Sequence, residues 1–464
     1  MRWIGIDLGT STLCFVRHDF STGESETITL ANDAGIAASG GCRDDEDIQD
    51  AGRIFDRVRE TLDAMIDKTP DAAGIALTGQ MHGIVYLDSS ANVLSPLYTW
   101  RDGRAHRRLE NGLTAVETLE QLTGHRIAPG YGLATDFYLR HYRQTPPNAA
   151  YCATIADYTA SRLAGLKKPI TEASNAASLG LFDVSRGRFD ASALQAAQMD
   201  PAFLPNVVRF GPIGTYRNIP VFTPVGDNQA AFAAAADEPA RTIHLTVGTG
   251  AQMSVFSEQY IEIDRLETRP YPGGFLLVGA SLCGGSAWRM LHDFFAKTLE
   301  FFGTDTDTDL YAVMAQMSKS ALAKSALPDL SLNKNAASFE PLNVSTAFAG
   351  TRSEPNRRGL IDKISTRNFT PENLAAGFLT GIAEELYGFY AALPDSLRAE
   401  RPLLAGSGNG LRRNCALCEI IKRKFGRALI LPPMEAETAF GAIRLAASAS
   451  RSTTARFGQR RIEN

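Results

Sequence analysis

No apolar run in the sequence approaches the ~20 residues that a membrane-spanning helix needs, so no transmembrane segment is expected. Charge of one sign is lacking too. Lysine and arginine number 47 against 51 aspartates and glutamates, a net of −4, and nothing marks a nucleic acid or a lipid surface as a partner. Cysteine is scarce at six, histidine at seven, and both are scattered. The one CxxC, Cys415 with Cys418, lies in RNCALCEIIKRKFG, whose periodicity is helical. With no second pair and no nearby histidine it reads as two helix-face residues ahead of a zinc or redox site. Scattered cysteines fit a reducing compartment. The N-terminal MRWIGIDLGT enters a strand at once, without an n-region, an h-region or a cleavage site, so a cytoplasmic chain is expected. There is no GxxxxGK(S/T), which excludes a P-loop, and no GxGxxG in a βαβ unit, which leaves the dinucleotide reading poor.

What is present is a full core and a repeat. Hydrophobic residues make up 44% of 464, enough for two or more domains. DLGTSTLCFV (7–16) and TVGTGAQMSV (246–255) align Gly9 with Gly248, Thr10 with Thr249 and Val16 with Val255. Each copy reads as a hairpin with a Gly-Thr turn after an apolar strand. A looser match follows: Gly79-Gln-Met-His-Gly83 after the strand GIAL, and Gly406-Ser-Gly-Asn-Gly410 after PLLA. Two similarly folded halves are expected, residues 1–238 and 239–464. Between these points strand alternates with helix, which argues for an α/β architecture in both. EDIQDAGRIFDRVRETLDAMIDK (46–68) puts Ile48, Ala51, Phe55, Val58, Leu62 and Met65 on one helical face. Thr370-Pro371 starts another helix as N-cap and N1. VFTPVGDNQAAFAAAA (221–236) reads as strand, tight turn, helix, and 303–340 as a peripheral excursion.

Four stretches carry chemistry. Glycine turns let backbone N–H groups approach an anion, and Thr or Ser hydroxyls add donors, so Gly9, Thr10, Ser11 and Thr12, with Gly248, Thr249 and Gly250, form two candidate phosphate turns. Tight hairpins alone also use glycine. Asp7 stands where the second copy has Thr246, and a lone carboxylate beside phosphate suits Mg²⁺. Asp227 ends a strand and opens a helix, the place for an N-cap. It is also where α/β proteins put ligands and where a base can take a hydroxyl proton. GSGNGLRRN has small residues that admit a flat ring, with Ser407, Asn409 or Asn414 to hydrogen-bond it. TWRDGR joins Trp100 and Asp102 to two guanidiniums, either a sugar contact or a turn with a surface ion pair.

Together these motifs resemble the FGGY carbohydrate kinases of the actin/hexokinase ATPase superfamily, over roughly 3–260 and 341–445. DLGTST is similar to that family's first phosphate motif, TVGTGAQ to its second, GSGNGLRRN to its adenosine motif and GDNQAAF to its catalytic Asp segment. GQMHG is shared by xylulokinase-like and sedoheptulokinase-like members. TWRDGR, GYGLATDFYL, TIADY, TEASNAASLGLFD and AGTRSEPNRRGLI look most like the latter. The resemblance implies two ribonuclease-H-like (actin-like ATPase) domains with a catalytic cleft between them, closing on ATP and a small-molecule sugar. It implies Asp7 for Mg²⁺, Thr10, Ser11 and Thr249 for phosphates, and Asp227 as base. Gln80, Met81, His82, Asp102 and Asn228 would contact sugar, and Gly406, Gly408 and Asn409 would lie by the adenosine. CGGSAWRML (283–291) matches the segment flanking the nucleotide only loosely. An actin-like or chaperone-like conformational ATPase explains the duplicated hairpins but leaves GQMHG, TWRDGR and GDNQ without a task. A monomer and a homodimer both remain open.

Overall fold

The computed structural model of the chain describes residues 1–36, 43–128, 130–304, 308–326, 342–351, 354, 356–434 and 436–460. It divides into two compact units. The first is Met1–Ala234 with Arg269–Phe275 and Met434–Asn464; the second is Ala235–Thr268 with Leu276–Pro433. The spatial division is therefore not contiguous in sequence.

In the first unit the strands of the main sheet are β1 (Arg2–Leu8), β2 (Thr12–Asp19), β3 (Ser25–Ala31), β4 (Ile75–Gly79), β5 (Pro212–Tyr216), β6 (Ile219–Phe222) and β7 (Val225–Gly226). They form one sheet in the order β5-β6-β4-β1-β2-β3, with β7 also pairing β4. β1 and β4 are parallel and central, hence apolar on both faces. One face carries α1 (Ala51–Lys68) and α2 (Ile155–Leu163), packed on Ile4, Ile6 and Leu8. Against Trp3 and Val16 on the other lies the C-terminal helix (Glu437–Arg460), through Ala439, Ala442 and Ile443. Gly5 permits this approach, because a Cβ there would strike the Ala439 carbonyl. Asp50 caps α1 by accepting from the Arg53 N–H, so the helix begins after Ile48. Its fully buried face gains Ile54 and Ile66, while Phe55 is only partly covered. The expected face was thus displaced at its start by a cap.

A second sheet of six strands is made of β8 (Thr242–Val247), β9 (Ala251–Ser257), β10 (Glu267–Tyr271), β11 (Gly274–Ser281), β12 (Leu403–Ser407) and β13 (Leu429–Ile430), and all of it except residues within Arg269–Phe275 belongs to the second unit. Its order is β10-β11-β9-β8-β12-β13. The long helix Pro371–Ala391 starts as expected, Thr370 accepting from the Asn373 N–H. Part of 303–340 is the helix Leu310–Ala326; 305–307 and 327–340 lie outside the described residues.

The repeat is real in topology: β1 is antiparallel to β2 and parallel to β4, as β8 is to β9 and β12. Two details of the alignment change. Leu8 pairs Leu13 around four residues, whereas Val247 pairs Ala251 around three. Gly9 and Gly248 still correspond, but Val16, facing Gly5, does not match Val255, facing Ile243. The extra residue reverses which face each later side chain occupies. Leu8 also pairs Gly79, and Thr246 pairs Ser407, so Val247 stands beside Gly408. The counterpart of Gly79 is therefore Gly408, two positions later than the glycine patterns imply.

Candidate functional site

Three parallel strands of the first unit end side by side. Leu8 pairs Gly79, and Gly79 pairs Gly226. Past these ends come Gly9-Thr10, Gln80-Met81-His82 and Asp227-Asn228, the places where α/β sheets hold ligands. Both inner glycines follow from crowding. A Cβ on Gly79 would lie 2.9 Å from the Leu8 carbonyl oxygen, and one on Gly226 would strike the Met81 sulfur. Met81 is buried against Gly226, an apolar wall next to Asp227. Asp227 opens the helix Asp227–Ala235 and is half-buried, as is Asn228, whose Oδ1 accepts from Arg269 Nη1 at 3.3 Å.

Gln80 and Thr10 turn out to hold one another. Trp100 Nε1 donates to Thr10 Oγ1 (3.0 Å), so that hydroxyl directs its own proton to Gln80 Oε1 (3.3 Å). Gln80 Nε2 donates to Gln49 Oε1 (3.0 Å), and Gln49 Nε2 to the Thr10 carbonyl (2.8 Å). The ring ties the Gly9–Thr12 turn to the GQMHG loop. It engages the Thr10 hydroxyl and leaves Ser11 and Thr12, both exposed, as the outward hydroxyls of that turn. Gln49 was not anticipated; nothing in its local pattern distinguishes it. Trp100 is 45% exposed beside Thr10, with the Arg101 guanidinium over its ring at 5.0 Å.

His82 has a left-handed backbone (φ 75°) and stacks on Tyr131 at 4.7 Å between ring centres. Nothing in the local pattern of GYGLATDFYL marks Tyr131 for this contact. Asp102 departs from expectation. It is buried, and its two oxygens accept from Arg104 Nε (2.6 Å) and Nη2 (2.8 Å), with the Asp47 N–H at 3.3 Å. A carboxylate so engaged anchors its loop and is not presented to a sugar.

Asp7, the residue before Leu8, accepts from the Thr438 hydroxyl at the start of the C-terminal helix. Burial raises its pKa and the Thr438 bond lowers it, with no neighbouring cation among the causes. A half-buried carboxylate with no cation beside it among the described residues fits Mg²⁺. Among the described residues no cluster of three His, Cys, Asp or Glu could cage a metal, and Mg²⁺ characteristically takes one or two carboxylates with phosphate oxygens and water.

In the second unit β8 and β12 end beside each other in the same way. Gly248 and Thr249 are exposed. The turn is braced from below: the N–H groups of Gly284 and Ser286 donate to the Thr249 carbonyl and that of Gly285 to the Gly248 carbonyl. CGGSAW, only loosely matched by motif, thus abuts the Gly248-Thr249 turn. Gly408 (φ 88°) and the exposed Asn409 form the β12 exit, whereas Gly406 is buried inside the strand under Leu411 and Leu429. Asn414 caps the helix Cys415–Phe425, accepting from the Leu417 N–H. Beneath the exits His244 Nε2 lies 2.8 Å from Ser407 Oγ, itself 2.9 Å from Thr246 Oγ1. Burial lowers the His244 pKa to about 4, so it is neutral at pH 7.

Residues 2–238 match the N-terminal domain of the FGGY family of carbohydrate kinases, and 243–450 its C-terminal domain. The chain belongs to this family. A sedoheptulokinase of Mus musculus is 24% identical over 85% of both chains, and a xylulose kinase of Staphylococcus xylosus 27% over 44% of this chain and 42% of that one. The fold matches a crystal structure described as a "xyloylose kinase" from Brucella ovis, with TM-score 0.78, 19% identity, and coverage of 97% of this chain and 91% of that one. As an FGGY member the chain is an ATP-dependent sugar kinase with the actin-like ATPase fold. No helix among the described residues is long and apolar enough to cross a membrane.

Proposed function

We propose that this FGGY kinase transfers the γ-phosphoryl group of ATP to the terminal hydroxyl of a ketose, with sedoheptulose as acceptor and its 7-phosphate as product. The observation that supports the reading is the pairing of Val225-Gly226 with Thr78-Gly79, by which Asp227 and the GQMHG loop both follow from adjacent strand ends, with Met81 packed on Gly226. Asp227 takes the hydroxyl proton as the sugar oxygen bonds to the γ-phosphorus, the bond to the β-phosphate oxygen breaks, and ADP leaves. Such transfer is mostly positioning and charge stabilisation. Mg²⁺ at Asp7 would neutralise charge on the phosphates. Ser11, Thr12, Thr249 and the turn N–H groups orient the polyphosphate, and Gly408 and Asn409 lie by the adenosine. His82, Met81, Asn228 and Trp100 hold the sugar.

Sedoheptulose is favoured because similarity to the mouse sedoheptulokinase extends over 85% of both chains. Xylulose is the second reading, from the shorter match to the Staphylococcus xylosus enzyme. A panel of ketoses with coupled ADP detection, with and without Mg²⁺, separates them by kcat/KM. Preference for xylulose would replace the first reading, and ATP turnover that no sugar stimulates would overturn both. Asp227→Asn folds and loses transfer by about 10²–10⁴-fold, the usual share of general base catalysis; near-normal turnover would remove Asp227 from the role.

A further inference from the structure

We propose that the short helix α3 (Ala173–Leu179) is a bracket that sets the spacing between the Asp227 exit and the His82 loop, with Ser174 and Ser178 as its positioning residues. The inference rests on the reading of Asp227 as base and His82 as a sugar contact. The two serines stand four residues apart, on one face of the helix.

The hydrogen-bond directions leave little choice. The Gly226 N–H, one residue before Asp227, donates to Ser174 Oγ at 3.1 Å. Ser174 therefore turns its own proton to Glu172 Oε2 (2.6 Å), which also accepts the Ser174 N–H at 2.8 Å. Four residues on, Ser178 Oγ accepts the His82 N–H at 3.1 Å and donates to the Asn175 carbonyl at 2.7 Å. The Ser178 carbonyl lies 2.9 Å from His82 Nδ1. A carbonyl only accepts, so Nδ1 carries a proton and the ring is fixed in orientation. His82 is thereby held at two points in a backbone conformation that side chains other than glycine seldom adopt.

The bracket is itself anchored. Asn175 Nδ2 reaches Asp157 Oδ1 at 3.3 Å, and Asp157 Oδ2 accepts from Thr154 and Thr171, each at 2.8 Å. Ser174, Ser178, Glu172, Asn175 and Asp157 are all buried. None of the bracket residues acts on the reacting atoms. They work through Gly226 and His82, so their two ends must appear in two different kinetic parameters.

The test is a kinetic split in the full-length protein, with folding followed by circular dichroism. Ser174→Ala frees the Gly226 end and lowers kcat about 10–100-fold, the scale on which a misplacement of about 1 Å acts, while sugar KM stays near wild type. Ser178→Ala raises sugar KM about 10-fold, a loss of one tenfold step in affinity, with kcat near wild type. ATP KM is unchanged in both. Glu172→Gln keeps an acceptor oxygen for Ser174 and retains activity; Glu172→Leu removes it and follows Ser174→Ala. If Ser174→Ala does not fold, the Gln and Leu pair at 172 carries the measurement. Parallel losses in kcat and KM for both serine variants, or equal activity of the two Glu172 variants, would overturn the bracket. Wild-type kinetics in both serine variants while Asp227→Asn is inactive would sink the bracket alone. An active Asp227→Asn would sink the reading beneath it as well.

Discussion

Gly408→Ala should weaken nucleotide binding and leave the sugar untouched, and Gly79→Ala should do the reverse. The two glycines hold the same place in the two sheets: Gly79 beside Leu8, and Gly408 beside Val247. At Gly408 two costs combine. Its φ of 88° with ψ of 154° is a conformation used almost only by glycine, which costs a residue with a side chain ~1–3 kcal/mol. A Cβ would also lie 2.6 Å from the Val247 carbonyl oxygen, well inside the 3.4 Å at which ordinary contact begins. Relief has to come from backbone, either that of the Gly248 turn or that of Asn409. About 2 kcal/mol charged to the bound geometry corresponds to roughly 30-fold, since 1.4 kcal/mol is tenfold. Gly79 has no left-handed φ, and its Cβ would meet Leu8 at 2.9 Å, so the smaller effect there falls on sugar KM. Titration calorimetry with MgADP, alongside sugar KM from coupled ADP release, reads both. A Gly408→Ala protein that binds MgADP normally, or a Gly79→Ala protein that loses MgADP while keeping its sugar KM, would refute the register correspondence and the division of labour built on it.

Other outcomes follow from single contacts. Asp102→Ala should destabilise the first unit by about 3 kcal/mol, the low end for breaking a buried ion pair, because it removes the bidentate partner of the buried Arg104 guanidinium and leaves it the Glu46 carboxylate at 3.7 Å; Asp102→Ala with Arg104→Met should recover much of this in urea denaturation. Burial raises Asp157 to about 7 from an ordinary 3.8. The folded state therefore binds the extra proton between those values, and stability falls as pH rises from about 4 to 7. Asp157→Asn should flatten that slope, and equal slopes in denaturation at pH 5 and pH 8 would rule out Asp157 as its source. Trp100→Phe removes the donor to Thr10 Oγ1. It should abolish any sugar-dependent change in tryptophan fluorescence, since Trp3 is fully buried and Trp288 packs in the second unit.

The two Gly-Thr turns, the glycine-rich strand exits and the strand-to-helix switch at Asp227 were legible in the sequence, as were the Thr370-Pro371 helix start and the family. Each is a local matter. A turn needs glycine where a Cβ would collide, a cap needs a hydroxyl or carboxylate at a helix start, and periodicity reports which face is buried. The site itself was decided by partners that no window of sequence contains. Asp7 meets Thr438 across 431 residues, and Gly79 meets Gly226 through a strand pairing that only the folded sheet defines. Gln80, read as a sugar contact, is committed to Thr10 and Gln49, and Asp102 to Arg104. The repeat was visible, but its one-residue difference in turn length appeared only in the pairing of Leu8 with Leu13 and Val247 with Ala251. Residue type determines what a side chain can donate or accept. Which acceptor lies within 3 Å of it is set by packing, and packing brings together segments whose separation along the chain carries no pattern.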